Sequence, residues 1–181
     1  MENHPDPITR RSFFGKTTAA GLGAATFTLL RPELVRGAGK EKLKAGLIGC
    51  GGRGTEAVIN LMTGTENVEL VAMGDIFEDH LTASHDKLHG NEAIASRIQV
   101  DPEHRFIGFD AYQKVIGSDV DIVMLATPPG YRPQFFEAAI AAKKHVFCEK
   151  PFGTDPAGVR RFMAAAKKSE ELKLTVVSGA Q

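Results

Sequence analysis

A run of glycines, two acids, a threonine and a lysine stand at spacings that could do chemistry. The turn Gly49-Cys50-Gly51-Gly52-Arg53-Gly54 fits G-x-G-x-x-G at positions 49, 51 and 54. In such a turn the first glycine makes the tight bend, the second lets backbone approach a diphosphate, and the third lets a helix pack close to the strand before it. The diphosphate would rest on the helix N-terminus, where unpaired N–H groups and the dipole favour negative charge. Gly52 is counted in the same cofactor-binding set, and Arg53 could add a charge-assisted contact. Twenty-one residues after Gly54 stands Asp75, in Met73-Gly74-Asp75-Ile76. Its carboxylate can accept both ribose hydroxyls of an adenosine, and the same charge would repel a 2′-phosphate, so NAD is favoured over NADP. Asp75 would also serve as an N-cap for a helix beginning near Glu78. The glycine turn and the spacing together favour the ribose.

Two later segments carry further candidates. In Ala126-Thr127-Pro128-Pro129-Gly130-Tyr131-Arg132-Pro133 the paired prolines stop a strand and stiffen the backbone, and Thr127 offers a hydroxyl. Thr127 and Pro128 are taken as cofactor contacts. In Cys148-Glu149-Lys150-Pro151, Lys150 is the titrating cation, and partial burial against apolar neighbours would let it pass a proton near neutral pH.

The elements that must position these groups follow from the alternation of short apolar runs with amphipathic stretches. Strands are expected near Ala45 to Ile48, Glu69 to Met73, Arg105 to Phe106, Asp121 to Ala126, His145 to Cys148 and Leu174 to Val177. Helices are expected near Gly54 to Met62, Phe77 to Leu88, Arg132 to Ala142 and Pro156 to Ser169, with a short helical turn near Tyr112 to Ile116. Runs such as Ile122-Val123-Met124-Leu125 are apolar throughout rather than alternating, as in parallel strands covered on both faces. The expectation is an α/β fold with a doubly wound, mostly parallel sheet, in which both candidate loops leave strands at the edge where ligands of such sheets bind.

Composition narrows the classes. A chain of 181 residues with 22 Lys+Arg against 22 Asp+Glu has no global basic field to hold nucleic acid. Its length leaves room for one complete core and a short appendage. Cys50 and Cys148 read as small buried thiols. His80, His85 and His89 fall in one expected helix and read as a solvated polar face rather than a metal site. The Lys143-Lys144 and Lys167-Lys168 pairs are placed in last turns of helices, where they suit the dipole.

Residues 1–39 read as a separate unit. Arg10-Arg11 is followed one residue later by Phe13 and Phe14, and Thr17 to Leu30 carries no charge across fourteen residues. The pattern resembles a twin-arginine export signal, which implies the export machinery as a partner and a periplasmic destination. Fourteen uncharged residues fall short of a membrane span. The globular unit is then 40–181, with cleavage within residues 35–40.

The glycine turn, Asp75, the Ala126-Thr127-Pro128-Pro129 loop and Glu149-Lys150-Pro151 together resemble the glucose-fructose oxidoreductase, inositol dehydrogenase and rhizopine-catabolism family (Gfo/Idh/MocA), across residues 44–181. The resemblance implies a Rossmann fold, NAD as cofactor and hydride transfer between the nicotinamide and a carbohydrate or polyol. It further implies Lys150 as the catalytic residue beside the nicotinamide, Glu149 near the cofactor, and a cis bond before Pro151. The chain departs from the family pattern at Pro129 and Arg132, where many members carry Asn and His. Family members also continue into an α/β domain that holds the sugar and supplies an acid/base histidine. With Gln181 as the last residue, the expectation is weak dinucleotide binding, no efficient turnover unless a second domain is supplied, and self-association into a homo-oligomer through an uncovered face. Two readings compete: a non-catalytic nucleotide-binding or partner-docking protein, and a Rossmann domain for another adenosine ligand such as S-adenosylmethionine.

Overall fold

The computed structural model describes residues 42–179. The twin-arginine segment expected over residues 1–39 lies outside them. Six parallel strands form one sheet: β1 (Leu43–Ile48), β2 (Val68–Asp75), β3 (Arg105–Ile107), β4 (Ile122–Leu125), β5 (His145–Glu149) and β6 (Val176–Gly179). Their order is β3-β2-β1-β4-β5-β6, so the chain runs outward from β1 in one direction and then returns to run outward in the other. The reversal falls between β1 and β4, and crossovers that diverge there leave a crevice outside the strands' carboxyl ends.

Five α-helices make the crossovers: α1 (Gly52–Gly64), α2 (Glu78–His89), α3 (Ala111–Gly117), α4 (Arg132–Ala141) and α5 (Pro156–Glu171). The period of two along β1 divides the core between the faces. Ala45 and Leu47 join Val58 and Met62 of α1, Leu81 and Leu88 of α2, and Leu70 and Met73 of β2. Ile48 points the other way, into a cluster with Val115 and Ile116 of α3, Phe136 and Ile140 of α4, and Phe162 of α5. Phe136 and Phe162 stack at 3.9 Å between centroids and weld α4 to α5. The doubly wound arrangement expected from the apolar strand runs is therefore present.

Helix starts follow local chemistry. Asp155 caps α5, its Oδ1 accepting from Ala157 N and Gly158 N at 2.9 Å each, with Pro156 next in the chain. The start of α1 is different. Gly51 at its N-cap has no side chain to offer, and the first turn holds no acid. Its amides are left for something other than the protein.

Three expectations are corrected. The last strand begins at Val176 rather than near Leu174, because Lys173 turns left-handed (φ 55°) and Leu174 N donates to Ser169 O, closing α5 before the strand can start. Lys143 and Lys144 lie beyond the end of α4 for the same reason: Lys143 has φ 58° and Lys144 N donates to Ala139 O. The lysine ammonium of residue 144 instead donates to Val120 O at 2.8 Å. Finally, the histidines of α2 do not share a solvated face. His80 is exposed, but His85 is buried, its Nε2 has no hydrogen-bond partner, and its ring lies tilted against that of His89 with centroids 4.4 Å apart. It lies on the same side of the helix as Leu81 and Leu88, which face the core.

Burial, followed by the nearby Arg105 guanidinium, holds the His85 imidazole below its ordinary 6.5. In the acid range the unfolded chain then binds the proton more readily than the folded one, so stability falls as pH drops below about 6.5 and levels off below the folded value. Replacing His85→Leu should flatten this limb of a melting-temperature profile taken between about pH 4.5 and 7. An unchanged acid slope in the variant would contradict the assignment.

Candidate cofactor site at the carboxyl edge of the sheet

β1 ends at Ile48, and the chain must turn at once to begin α1. Gly49 does this with φ 95°, in a place where a Cβ would lie 2.8 Å from the backbone of Ala126 and Thr127. Only glycine fits both the dihedral and the space. Gly54, one helical turn on, sits so close that a Cβ would run into the Gly49 carbonyl oxygen. Around Gly51 and Gly52 the opposite holds: a Cβ on either would meet nothing within 4 Å. The turn is packed tight on its protein side and open on the other.

Asp75 closes the next strand end. Its Oδ2 accepts from Cys50 N at 2.6 Å and its Oδ1 from Phe77 N at 3.0 Å, so the carboxylate fixes the glycine turn to β2. The helix that follows begins at Glu78 with Phe77 as its N-cap and no side-chain cap bond, so Asp75 shapes the turn before α2 instead of capping it. Each carboxylate oxygen keeps acceptor capacity beyond these single bonds, and about a tenth of the side chain is exposed. His80 Nδ1 lies 3.8 Å from Oδ1.

These groups line one cleft of about 390 Å³, within the range of small-ligand sites. Gly49, Gly51, Gly52, Arg53, Gly54, Asp75, Thr127 and Pro128 all contribute to its wall. The structure thus brings together eight of the ten residues expected from the sequence. Glu149 and Lys150 lie outside this lining. Glu149 is buried and bound to Arg53, with Arg53 Nη2 donating to Oε1 at 2.6 Å. Lys150 is exposed rather than partly buried, because it stands one residue past the end of β5. The peptide bond from Lys150 to Pro151 is cis, as the resemblance implies.

Arg53 is not a free cation. Two carboxylates, Glu149 and Glu56, already engage its guanidinium, and the hydrogen bond to Glu149 leads in raising its hold on the proton. Arg132, where the resemblance implies histidine, is buried and donates from Nη1 to Pro151 O at 2.6 Å. Burial lowers its proton affinity from the ordinary arginine value. Burial also pushes both thiols up, Cys148 to about 12, so neither is a thiolate at neutral pH.

The cleft suits a dinucleotide on two observations. Thr127 Oγ1 is buried against it with no hydrogen-bond partner, a group that calls for one from a ligand. Gly51 and Gly52 leave open space over amides at a helix start with neither cap nor acid. The wall also includes Phe77, Phe109 and Tyr131, exposed by 57%, 73% and 42%, which the sequence reading passed over. Their aromatic faces suit a planar base. The signal available was position: Phe77 and Phe109 follow the carboxyl ends of β2 and β3, but exposure of a phenylalanine is not visible in sequence.

Comparison with known proteins agrees with this geometry. A family model described as "Oxidoreductase family, NAD-binding Rossmann fold" matches residues 43–177. The chain is 29% identical over 133 residues to the myo-inositol 2-dehydrogenase of Thermotoga maritima, covering 74% of this chain and 35% of that protein. It is 31% identical over 125 residues to the inositol 2-dehydrogenase of Acidothermus cellulolyticus, covering 69% of this chain and 33% of that one. The scyllo-inositol dehydrogenase of Lactobacillus casei, solved with bound NAD(H) and scyllo-inositol, superposes with a TM-score of 0.59 over 77% of this chain and 36% of that chain, at 23% identity, which is a likeness of fold. The chain spans about a third of the length of these relatives.

The two kinds of glycine should separate on substitution. Gly54→Ala forces the helix off the Gly49 carbonyl and should lower unfolding free energy by about 1–3 kcal/mol. Gly51→Ala meets no protein atom within 4 Å and should cost under about 1 kcal/mol as an N-cap change, yet weaken dinucleotide binding. Denaturant melts beside a calorimetric titration check this, and equal stability losses would refute the division.

Proposed function

Because the chain belongs to the Gfo/Idh/MocA oxidoreductase family, as its NAD-binding Rossmann domain, we propose that it holds the nicotinamide cofactor for an enzyme that oxidises a carbohydrate or polyol. The observation that carries the reading is the single cleft in which the glycine turn, Asp75 and the unpartnered Thr127 hydroxyl converge. The inositol dehydrogenases named above support the polyol class.

In this reading the amides of the first turn of α1 receive the diphosphate, and the Asp75 carboxylate accepts the adenosine ribose hydroxyls. That carboxylate is already held by Cys50 N and Phe77 N, so it is oriented before ligand arrives and little ordering entropy is lost on binding. Its charge disfavours a 2′-phosphate, which selects NAD over NADP. Thr127 donates or accepts at the loop after β4, beside Pro128. When bound, the nicotinamide supplies a hydride acceptor at C4. The substrate hydroxyl is assigned to Lys150 of this chain. Its exposure one residue past β5, at the carboxyl edge of the sheet, supports that role. The substrate-holding surface and the acid/base partner belong to the remainder of a family enzyme, so turnover is proposed only with such a domain present.

The same proposal covers location. Arg10-Arg11, the following Phe13 and the uncharged Thr17 to Leu30 support export through the twin-arginine route to the periplasm, with residues 1–39 as the signal. Export of a folded protein allows the cofactor to be loaded beforehand.

Two measurements test these assignments. Asp75→Ala removes a charged acceptor from the ribose and should weaken NADH binding by about 10- to 100-fold, the equivalent of about 1.5–3 kcal/mol. Fluorescence titration of the full chain reads this, and unaltered affinity would sink the ribose role. Fusing residues 1–39 to a reporter active only outside the cytoplasm should give signal that vanishes when Arg10 and Arg11 are both changed to Lys. Signal that persists would reject the twin-arginine route.

A further inference from the structure

Arg53 carries the one cationic side chain of the glycine turn, and its position would suit a phosphate ligand. Its contacts say otherwise. Nε and Nη2 both donate to Glu149 Oε1, at 2.8 and 2.6 Å, while Nη1 meets Glu56 Oε2 at 3.2 Å. One guanidinium against two carboxylates makes a cluster of net charge minus one, which does not draw a diphosphate. The Glu149 side chain is only 4% exposed, and removing the partner of a buried carboxylate is strongly destabilising. The carboxylate also fills a slot at the end of β6. A Cβ on Gly179 would lie 2.5 Å from Glu149 Oε1 and 2.6 Å from Oε2, so the neighbouring strand leaves room for it only by ending in glycine there. Three elements therefore meet at one ion pair: the first turn of α1, the last residue of β5 and the last residue of β6.

The placement of that pair in the chain matters. Arg53 lies within the turn that would receive the diphosphate, and Glu149 directly precedes Lys150. We propose that the Arg53–Glu149 pair is a positioning brace that sets the diphosphate turn at a fixed distance from Lys150, and that Arg53 is not itself a phosphate ligand. The inference rests on the dinucleotide reading above and adds to it the coupling of the two halves of the site. A brace of this kind acts on a ligand that spans both halves, and leaves one confined to the adenosine half untouched.

The two roles of Arg53 predict opposite signs. If Arg53 were a phosphate ligand restrained by Glu149, Glu149→Gln would free it, remove a repelling charge and tighten NADH. As a brace, Glu149→Gln loosens the turn against β5, and NADH affinity of the full chain should fall by about tenfold. Affinity for AMP, which reaches only the adenosine half, should stay within about twofold of the unaltered chain. Gly179→Ala displaces the same carboxylate without changing any charge and should reproduce the pattern, and Arg53→Ala combined with Glu149→Gln should be no worse than the weaker single variant. Calorimetry with NADH and AMP reads all of these, on variants whose melting curves show them folded at the assay temperature. Tighter or unchanged NADH binding in Glu149→Gln overturns the brace, and so does a parallel loss of NADH and AMP, which marks a merely structural pair. An unaltered chain that binds no NADH overturns the function proposed above and takes this inference with it.

Discussion

The contact between Gly54 and the Gly49 carbonyl is the constraint on which the site depends. Any side chain at position 54 would hold α1 away from the strand it follows. With α1 seated there, its first amides face the crevice opened by the divergence of the crossovers from β1 and β4. The second support is electrostatic: the Asp75 carboxylate accepts the Cys50 amide from across the turn. One contact sets how close the helix comes and the other sets how the loop lies. Neither involves a ligand, so the turn is shaped by the protein before any anion meets it.

The distribution of charge follows from this arrangement. The cation within the turn is neutralised by Glu149 and Glu56, and the buried Arg132 is turned toward the Pro151 carbonyl. The open side of the turn therefore offers backbone dipole in place of an unpaired side-chain cation. Amides held at a helix start bind a diphosphate without a long flexible cation to order, and side-chain ordering is a cost that weakens binding. The apolar and aromatic wall contributed by Phe77, Phe109 and Tyr131 complements this, since the base end of a dinucleotide is held by area more than by charge.

Much of this was legible because it is local in the chain. G-x-G-x-x-G followed by an acid about twenty residues on encodes a strand, a turn, a helix and a second strand, and each glycine meets a different steric demand. The order of strands follows from handed crossovers, and the apolar runs of β1 and β4 mark them as central. What was not legible depends on which residues become neighbours across the fold. Arg53 and Glu149 are 96 positions apart, and nothing in either segment announces the other. His85 differs from His80 only in the side of α2 it occupies, and a helix with weak amphipathicity does not declare that side. Lys150 shares its parity with the buried Val146 and Cys148 of β5, so its exposure reflects where the strand stops and not the alternation along it.

Lys150 shows how an exposed residue can still be held with accuracy. Its side chain is free, but the residues on both sides are tethered by arginines from other elements. Glu149 is bound by Arg53 from the first turn of α1, and the Pro151 carbonyl accepts from Arg132 at the start of α4. The two arginines reach in from the helix starts that follow β1 and β4, the strands between which the sheet reverses direction. The backbone at Lys150 is thus tied to both walls of the crevice, while its side chain stays exposed. A lysine so placed can meet a hydroxyl that arrives over the sheet edge without rearranging its own backbone. The hydrogen bonds from Arg53 to Glu149 and from Arg132 to the Pro151 carbonyl, and not burial of the lysine itself, provide the preorganisation.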